Sequence, residues 1–336
     1  MKPDRILLAH GGGGLLSQQL MEDIFLPIIG NPILNKLNDQ GVFEINSTRF
    51  AFSTDSYVIN PIFFPGGDIG ELAVYGTVND IAMGGAKPLY LSLGMIIEEG
   101  FPMDDLIRIM TSIKYAAEKT GVLIITGDTK VVNKGSVDKI FINTAGIGII
   151  EGNLEISADR LKPGNKVIIS GYIGDHGISI MAVREGLIFD TPVKSDSAPL
   201  NKMVEYILDT KAKINAMRDP TRGGVAASLN EFASNSNVGI RLEEELLPIR
   251  NEVKEACDIL GLDPLYVANE GKMIVVVEPE DAAKVLEAMK KDKIGKNACI
   301  IGEVTEVNKG KVVMQNKIGT TRVVDMHTGE QLPRIC

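Results

Sequence analysis

Apolar residues recur with two different periodicities along the first half of the chain. Short runs rich in β-branched and aromatic residues indicate strands, and longer segments with one apolar face indicate helices. The pattern predicts strands over 42–45, 50–54, 90–97, 122–126 and 140–148, and helices over 69–84 and 103–120. Gly121 follows the second of these helices, where a left-handed C-cap is common. This mixture of elements is typical of an α+β domain.

A second set of elements follows a polar turn at 161–166. A strand over 167–171 opens this half, and no repeat of fixed period is visible. The pattern predicts helices over 176–186, 198–215, 223–236, 251–261 and 279–291, strands near 238–242, 273–278 and 299–305, and a hairpin with a tail from 311 onward. The chain therefore reads as two domains in succession.

Length and charge exclude several classes of function. A chain of 336 residues can form two domains with separate cores, and 44% hydrophobic with 24% charged residues is ordinary globular composition. The net charge of −9 shows no basic footprint for nucleic acid. No stretch approaches the roughly 20 apolar residues of a membrane span, and the apolar run near the N-terminus is too short for a secretory signal. We expect a cytoplasmic protein without a membrane or nucleic-acid partner.

Three cysteines have different expected roles. Cys257 and Cys299 lie in apolar patterns and are expected to be small core residues, and no spacing suggests zinc or an iron–sulfur cluster. Cys336 is the last residue, where we expect an unburied thiol that can act as a nucleophile once deprotonated. The neighbouring Arg334 could stabilise its thiolate. A chance cysteine at a frayed end is the alternative.

A glycine run and three aspartates suggest a phosphate site in the first half. Residues 11–14 are all glycine and lead into a predicted helix, an arrangement that can wrap a phosphate or form a slack linker. Asp55, Asp80 and Asp128 follow apolar runs or lie in turns that lead into helices. Converging carboxylates would suit Mg²⁺ with ATP, whereas each alone is more often a cap or turn residue. The trio, with Lys130 close to Asp128, favours the magnesium site.

Two charged turns mark the second half. Residues 218–225 read RDPTRGGV and run into a predicted helix, whose N-terminus favours an anion. Residues 268–271 read ANEG and place Glu270 just before a strand. Either stretch in isolation could be an ordinary loop with salt bridges.

Taken in order, these motifs resemble the HypE family of hydrogenase-maturation proteins. The resemblance spans nearly the whole chain and rests on six segments, namely 66–70 (GGDIG), 76–80 (GTVND), 126–132 (TGDTKVV), 218–224 (RDPTRGG), 269–271 (NEG) and 333–336 (PRIC). That family belongs to the wider group of aminoimidazole ribonucleotide (AIR) synthetase and selenophosphate synthetase. The resemblance implies a two-domain PurM-like α+β fold with a dimeric N-terminal β-barrel, a C-terminal α/β domain and a mobile tail.

The implied division of the chain has four parts. A glycine-rich segment covers 1–40, an ATP-binding and dimerisation domain 41–158, a C-terminal domain 159–316 and the mobile tail 317–336. Strands such as 42–45 and 50–54 would otherwise present unpaired edges, so we expect a homodimer.

The resemblance also implies the chemistry. Cys336 would accept a carbamoyl group from the carbamoyltransferase HypF. ATP would then drive dehydration of the thiocarbamate to a thiocyanate, and the cyanide would pass to iron on a HypC–HypD scaffold as a ligand for NiFe hydrogenase. Mg²⁺ would bind Asp55, Asp80 and Asp128, while Lys130 and Glu270 would assist catalysis. The expected ATP-binding residues are Gly12, Gly13, Asp68, Asn79, Thr129, Lys130, Arg218 and Asp219.

Two other functions stay open at this point. Another ATP-dependent synthetase or kinase of the same fold would share the nucleotide site but leave Cys336 without a role. A non-catalytic nucleotide-binding scaffold for metallocentre assembly would not turn ATP over.

Overall fold

The first sheet is an open, twisted layer of five strands in the order β1-β2-β7-β5-β6. We describe a computed structural model that covers residues 4–188, 192–329 and 332–336. Its strands are β1 (Gly41–Ile45), β2 (Thr48–Tyr57), β5 (Lys87–Glu98), β6 (Leu123–Val132) and β7 (Ile140–Ile150), and a two-stranded ribbon joins β3 (Phe63–Phe64) to β4 (Gly67–Asp68). Neighbours pair antiparallel except β5 and β6, which are parallel.

The edges of this sheet differ from the prediction. Residues 50–54 lie in β2, which is an interior strand between β1 and β7. The outer strands are β1 and β6, and nearly every residue of β6 is exposed. The sheet does not close into a barrel within one chain.

Short helices precede the first sheet and two long helices cover it. Helix α1 (Leu15–Leu20) continues through a π-helical turn (Met21–Phe25) into α2 (Leu26–Ile29). Helix α3 (Ile69–Met83) is buried on almost all sides because it packs between the first sheet and the second half of the chain. Helix α4 (Met103–Thr120) is amphipathic and ends at Gly121 in the left-handed conformation, as predicted. The bounds of α3 and α4 agree with the periodicity.

The second sheet has seven strands in the order β14-β13-β10-β12-β8-β11-β9. The strands are β8 (Lys166–Ile169), β9 (Ile214–Arg218), β10 (Gly239–Glu243), β11 (Ile274–Val277), β12 (Cys299–Thr305), β13 (Val312–Gln315) and β14 (Thr321–Val324). Only β10 and β13 are parallel, so the predicted α/β character of this half is wrong and it is α+β as well.

The described part of the second half contains five further helices. They are α5 (Asp175–Glu185), α6 (Asn201–Asp209), α7 (Gly224–Ser236), α8 (Asn251–Leu260) and α9 (Ala282–Lys290). Of these, α6, α7 and α9 pack on the second sheet. The helix predicted over 198–215 is wrong at its end, because α6 stops at Asp209 and β9 begins at Ile214. Cys257 is a buried residue of α8, whereas Cys299 is only half-buried at the start of β12. In the part of the chain that the structure describes, no helix has the length and apolar character needed to cross a membrane.

The tail is a docked segment rather than an exposed one. Its first part contains β14, which completes the second sheet, so the predicted mobile tail 317–336 begins too early. Leu332 and Ile335 are buried in an apolar cluster that includes residues of α5, and Cys336 is half-buried against it. The expectation of an unburied thiol is therefore wrong, because neighbouring apolar residues anchor the terminus. Residues 330 and 331 of the predicted tail, and 1–3 of the predicted N-terminal segment, lie outside the described residues.

Candidate active site

The docked tail ends at a cavity between the two halves of the chain. The cavity encloses about 210 Å³, and Cys336 contributes to its wall together with Arg222, Gly12 and His327. Gly12 was predicted to bind a cofactor, and its position places main-chain atoms of the glycine run beside the thiol. The glycine run and the terminal cysteine thus meet at one site.

The glycine run is bound to the turn that precedes α7. Arg222 Nη1 donates to the carbonyl of Gly11 at 2.7 Å. Gly13 has φ +75°, and a Cβ atom there would lie 2.6 Å from the carbonyl oxygen of Arg222. Only glycine fits this close approach, so the run is a constrained turn and not a slack linker.

The second-half motifs are joined to each other at the same place. Asn269 Nδ2 donates to the carbonyl of Pro220 at 2.9 Å, and its Oδ1 accepts from Gly174 N at 2.8 Å. The main-chain nitrogen of Glu270 donates to Asp196, whose carboxylate also pairs with Lys272 at 3.0 Å. Because β9 and β11 are antiparallel neighbours, the residue after β9 and those before β11 lie at one edge of the sheet. This brings Asp219 and Glu270 together.

Glu270 is a buried carboxyl group close enough to Cys336 to affect the pKa of its thiol. Glu270 is 2% exposed and its Oε1 has no hydrogen-bond partner among the described residues. Burial, reinforced by Asp219, raises the pKa of Glu270 well above its usual value. Burial also raises the pKa of Cys336, with Glu270 adding to the effect and Arg222 opposing it. In this docked state the sulfur is a neutral thiol beside a carboxyl group with spare hydrogen-bonding capacity.

Four aspartates lie close to one another, and two of them, Asp55 and Asp80, also raise the pKa of Cys336. Burial raises the pKa of Asp80, and the carboxylates of Asp219, Asp39 and Asp55 raise it further. Burial likewise raises the pKa of Asp219, with Asp39 and Asp55 contributing. Ser53 Oγ donates to Asp80 at 2.7 Å, and Arg218 pairs with Asp39 at 2.9 Å. Such mutual repulsion suits a bound cation.

The donor set fits Mg²⁺ in part. Carboxylate oxygens are ligands that Mg²⁺ favours, and it commonly takes one or two of them with phosphate oxygens. Within the described ranges, no group of three or more His, Cys, Asp or Glu side chains could hold a metal ion by itself. Asp55 and Asp80 are therefore candidates for a shared ion whose other ligands would come from a nucleotide.

Three predicted ligands are used for packing instead. Asp68 is the N-cap of α3, accepting from Gly70 N at 2.8 Å and from Ser112 Oγ at 2.5 Å. Asn79 is fully buried, and its Oδ1 accepts from Leu200 N at 2.8 Å. Arg218 binds the carbonyl of Leu37 and two carboxylates. None of these side chains is directed at the cavity, because each satisfies a buried group of the fold.

Asp128, Thr129 and Lys130 lie away from this site within one chain. They are exposed on the edge strand β6, where Lys130 pairs with Asp128 at 2.7 Å and holds the pKa of that carboxyl below its usual value. Asp55 is on β2, three strands away across β7 and β5. At about 4.8 Å per strand this separation is roughly 14 Å. One chain does not bring the three predicted metal ligands together.

Other site residues were not singled out from the sequence. Asp39 precedes β1, whereas the predicted aspartates follow apolar runs or lie in turns that lead into helices, so that pattern did not select it. Arg222 is the cation beside the thiol, whereas Arg334, expected to stabilise the thiolate, instead pairs with Asp138 at 2.6 Å. Arg334 has a positive φ of 52° and still contributes to the lining of the cavity. Asp196 carried no sequence signal, because it acts only through contacts between distant segments.

Known protein families account for both halves. The model of the AIR synthase related protein N-terminal domain matches residues 37–150, and that of the C-terminal domain matches residues 162–315. A carbamoyl dehydratase HypE from Rhizobium leguminosarum bv. viciae is 53% identical over 99% of this chain and 95% of its own length.

Solved structures agree in fold. A HypE in a complex with HypF superposes with a TM-score of 0.87 at 49% identity, covering 92% of this chain and 99% of that one. A HypE bound to ATP superposes with a TM-score of 0.84 at 48% identity, covering 99% of this chain and all of that one. With both domain models matched and this identity over nearly the full length, the chain belongs to the HypE family of carbamoyl dehydratases.

Proposed function

We propose that the chain is an ATP-dependent carbamoyl dehydratase of NiFe hydrogenase maturation whose substrate is its own S-carbamoylated Cys336. The observation that supports this most directly is the position of that sulfur. It lies beside Glu270 and Arg222 in a cavity bordered by the glycine run. A synthetase or kinase acting on a free small molecule would have no need for a cysteine at this point.

The reaction balances as a dehydration driven by ATP. The thiocarbamate S–C(=O)–NH₂ loses its oxygen to the γ-phosphoryl group and both N–H protons to bases, leaving S–C≡N, ADP and inorganic phosphate. An amide oxygen is a poor leaving group, and phosphorylation converts it into a good one. The enzyme must therefore hold an anionic phosphate at one side of the carbon and accept protons at the other.

Glu270 and Arg222 suit these two demands. A carboxyl group with a raised pKa is a stronger base when ionised, and the partnerless Oε1 of Glu270 can accept an N–H of the carbamoyl group. Arg222 carries a fixed positive charge and a planar fork of donors for a phosphate or a developing oxyanion. The Gly12–Gly13 turn offers main-chain N–H groups, which is the role expected of a phosphate loop.

ATP and Mg²⁺ are the proposed cofactors. A bound Mg²⁺ would neutralise triphosphate charge and orient the γ-phosphoryl group. Asp55 and Asp80 would hold it, and Asp219 with Asp39 would add negative potential without direct coordination. The crowding of these carboxyl groups in the protein alone is the feature that supports a cation here.

The proposed assembly is a homodimer formed along β6. Among the described residues no strand pairs with the outer edge of β6, and apolar side chains are exposed there at Leu123, Ile125 and Val131. Pairing of two copies here would extend each sheet toward the dimeric barrel. It would also place Asp128, Thr129 and Lys130 in the interface, where they could complete a neighbouring copy's nucleotide site.

The tail must leave the cavity twice in each cycle. A neutral, half-buried thiol is a poor nucleophile, because thiolate is the reactive form. We therefore propose that Cys336 swings out to accept the carbamoyl group from HypF in the cytoplasm, and that the docked state serves the dehydration. A second departure would deliver cyanide to iron on a HypC–HypD complex.

Mass spectrometry of the intact chain tests the proposal. After incubation with HypF, carbamoyl phosphate and ATP, the C-terminal peptide should first gain one carbamoyl group and then lose one water. Cys336→Ala should bind ATP and stay dimeric but gain no adduct. An adduct on Cys257 or Cys299, or full activity of the variant, would refute the assignment. Loss of water without ATP would refute the phosphorylation step alone.

A further inference from the structure

The last four residues are held through their main-chain oxygens. A terminal carboxylate oxygen of Cys336 accepts from Val58 N at 3.0 Å, and the carbonyl of Arg334 accepts from Asn60 N at 3.3 Å. The carbonyls of Pro333 and Ile335 accept from side chains of α5. In each of the four residues a main-chain oxygen therefore accepts from a donor outside the tail.

Arg184 supplies three of the donors in this arrangement. Its Nη1 and Nη2 donate to the carbonyls of Pro333 and Arg334, both at 2.6 Å, and its Nε donates to the carbonyl of Asn60 at 2.6 Å. The planar guanidinium thus joins the tail to the segment after β2. A lysine ammonium lacks the fixed fork that this three-way contact uses.

His176 contacts the carbonyl of Ile335, the residue between Arg334 and Cys336. Its ring is fully buried, with Nε2 at 2.8 Å from the carbonyl of Ile335 and Nδ1 at 2.8 Å from Ser195 Oγ. Ser195 Oγ already accepts from Ser197 N at 3.0 Å, so its hydroxyl hydrogen is free to point at Nδ1. A carbonyl can only accept, so Nε2 carries the hydrogen. The ring is the Nε2–H tautomer, aimed at the tail.

None of these contacts uses the sulfur of Cys336. Ile335 is buried in the apolar cluster and fixes the depth of the tail, while Arg184 and His176 fix the path of its main chain. A carbamoyl group on the sulfur would therefore leave the whole set of contacts unchanged. The tail can dock in the same way before and after modification.

We infer that Arg184 and His176 are positioning residues that clamp the terminal peptide by its carbonyls, so that the carbamoylated sulfur is presented to Glu270 and Arg222. This role rests on the proposed function for its purpose, but the clamp itself is a property of the unmodified chain. Neither residue touches the reacting atoms. Both residues should increase the fraction of time for which the tail is docked.

Alkylation of Cys336 measures docking without any catalytic reaction. In the full chain, Arg184→Gln and His176→Phe should each raise the rate at which iodoacetamide labels the C-terminal peptide by roughly tenfold or more, because charged and buried hydrogen bonds are lost. Arg184→Lys should behave like Arg184→Gln, since it keeps the charge and loses the fork. His176→Gln retains an N–H donor and should recover part of the protection. Arg160→Gln, an exposed arginine paired with Glu155, is the matched control and should label at the wild-type rate.

Hydrogen exchange provides a second reading that does not depend on sulfur chemistry. The amides of Val58 and Asn60 donate to tail carbonyls, so both clamp variants should exchange faster there, toward the rate of a chain lacking residues 333–336. An unchanged α3 exchange pattern would show that the fold is intact. Wild-type labelling and wild-type exchange in Arg184→Gln would overturn the clamp.

Single-turnover kinetics link the clamp to the reaction. With chains carbamoylated beforehand, both variants should lose dehydration rate while the ATP concentration at half-maximal rate stays at the wild-type value. A changed ATP dependence with normal labelling would assign these residues to nucleotide binding and overturn the inference. If the wild-type chain itself fails to dehydrate, the proposed function fails, and the labelling and exchange data still decide whether the clamp exists.

Discussion

At the scale of single residues, the site is built from acidic groups that repel each other when no ligand is bound. Asp80 is placed among Asp39, Asp55 and Asp219, and the thiol of Cys336 lies near Glu270. Each of these acids has a raised pKa, so folding is opposed wherever the unfolded chain would ionise them. Preorganised charge of this kind is useful when a cation and a triphosphate arrive, because they replace repulsion by attraction.

Removing one of these carboxylates should therefore stabilise the free protein while abolishing its reaction. We predict that Asp80→Asn stops ATP turnover and raises the free energy of unfolding without ligand by about 1 kcal/mol, or roughly 2–4 °C in Tm. Calorimetry and a phosphate-release assay would measure the two effects. Asp159→Asn, at an exposed position, is the control and should change neither. Normal turnover in Asp80→Asn would make that carboxylate a structural residue.

The same variant gives a pH dependence with a definite sign. Because the pKa of Asp80 is raised in the folded state, folded Asp80 keeps a proton at pH values where the unfolded chain has lost it. The contribution of Asp80 to stability therefore falls as the pH rises above 3.8, the usual pKa of an aspartate. The Tm difference between Asp80→Asn and wild type should therefore be near zero in acid and grow toward neutral pH. A difference that shrinks with rising pH would mean that the pKa is lowered.

At the scale of elements, the strongly periodic segments were predictable and the short buried ones were not. Helix α4 follows from sequence because it has one apolar face and a glycine cap, and α3 follows from its length, although it is buried on almost all sides. Strand β9 was absorbed into a predicted helix, since its five buried residues, including Asn215 and Arg218, lack a strand-like alternation. Contacts with residues distant in sequence decide whether such a segment forms a strand or a helix. The aspartates of the site were found by their place after apolar runs, but which of them meet depended on strand order.

Asn79 shows how one side chain can link two elements that the sequence keeps far apart. It joins α3 to the segment before α6 by accepting from Leu200 N and donating to the carbonyl of Ala198. We predict that Asn79→Ala destabilises the chain by about 1–3 kcal/mol because a buried N–H loses its acceptor. Urea denaturation would measure this loss. ATP affinity by calorimetry should be unchanged, and a large loss of affinity would restore the original prediction that Asn79 binds the cofactor.

At the scale of the whole molecule, the first sheet ends in an exposed outer strand, β6. Strand β6 carries apolar side chains together with the predicted metal ligand Asp128, the predicted cofactor-binding residue Thr129 and the predicted catalytic residue Lys130. Its outer edge has no strand beside it among the described residues. An edge of this length invites pairing with a second copy. The proposed homodimer would account both for the remote position of Asp128 within one chain and for the incomplete metal site.

A charge on that edge should separate the copies. We predict that Ile125→Lys, at a side chain 62% exposed, converts a dimer into a monomer with an intact fold. Light scattering over a range of concentrations would measure the mass, and circular dichroism would check the fold. Val307→Lys, at an exposed position in the second half, is the control and should stay dimeric. A monomeric wild-type chain would exclude the interface altogether.

Mixing two inactive variants would show whether the site is shared between copies. Asp128→Asn retains Cys336, and Cys336→Ala retains Asp128, so neither should dehydrate a carbamoyl group alone. If Asp128 serves the partner copy, a mixed dimer contains one complete site, and an equal mixture after exchange should regain roughly a quarter of wild-type activity. If Asp128 served the site of its own chain, the mixture would remain inactive, because every chain with the thiol would lack the carboxylate. Adding Ile125→Lys to both variants should abolish the recovery, since complementation would then have no interface through which to act.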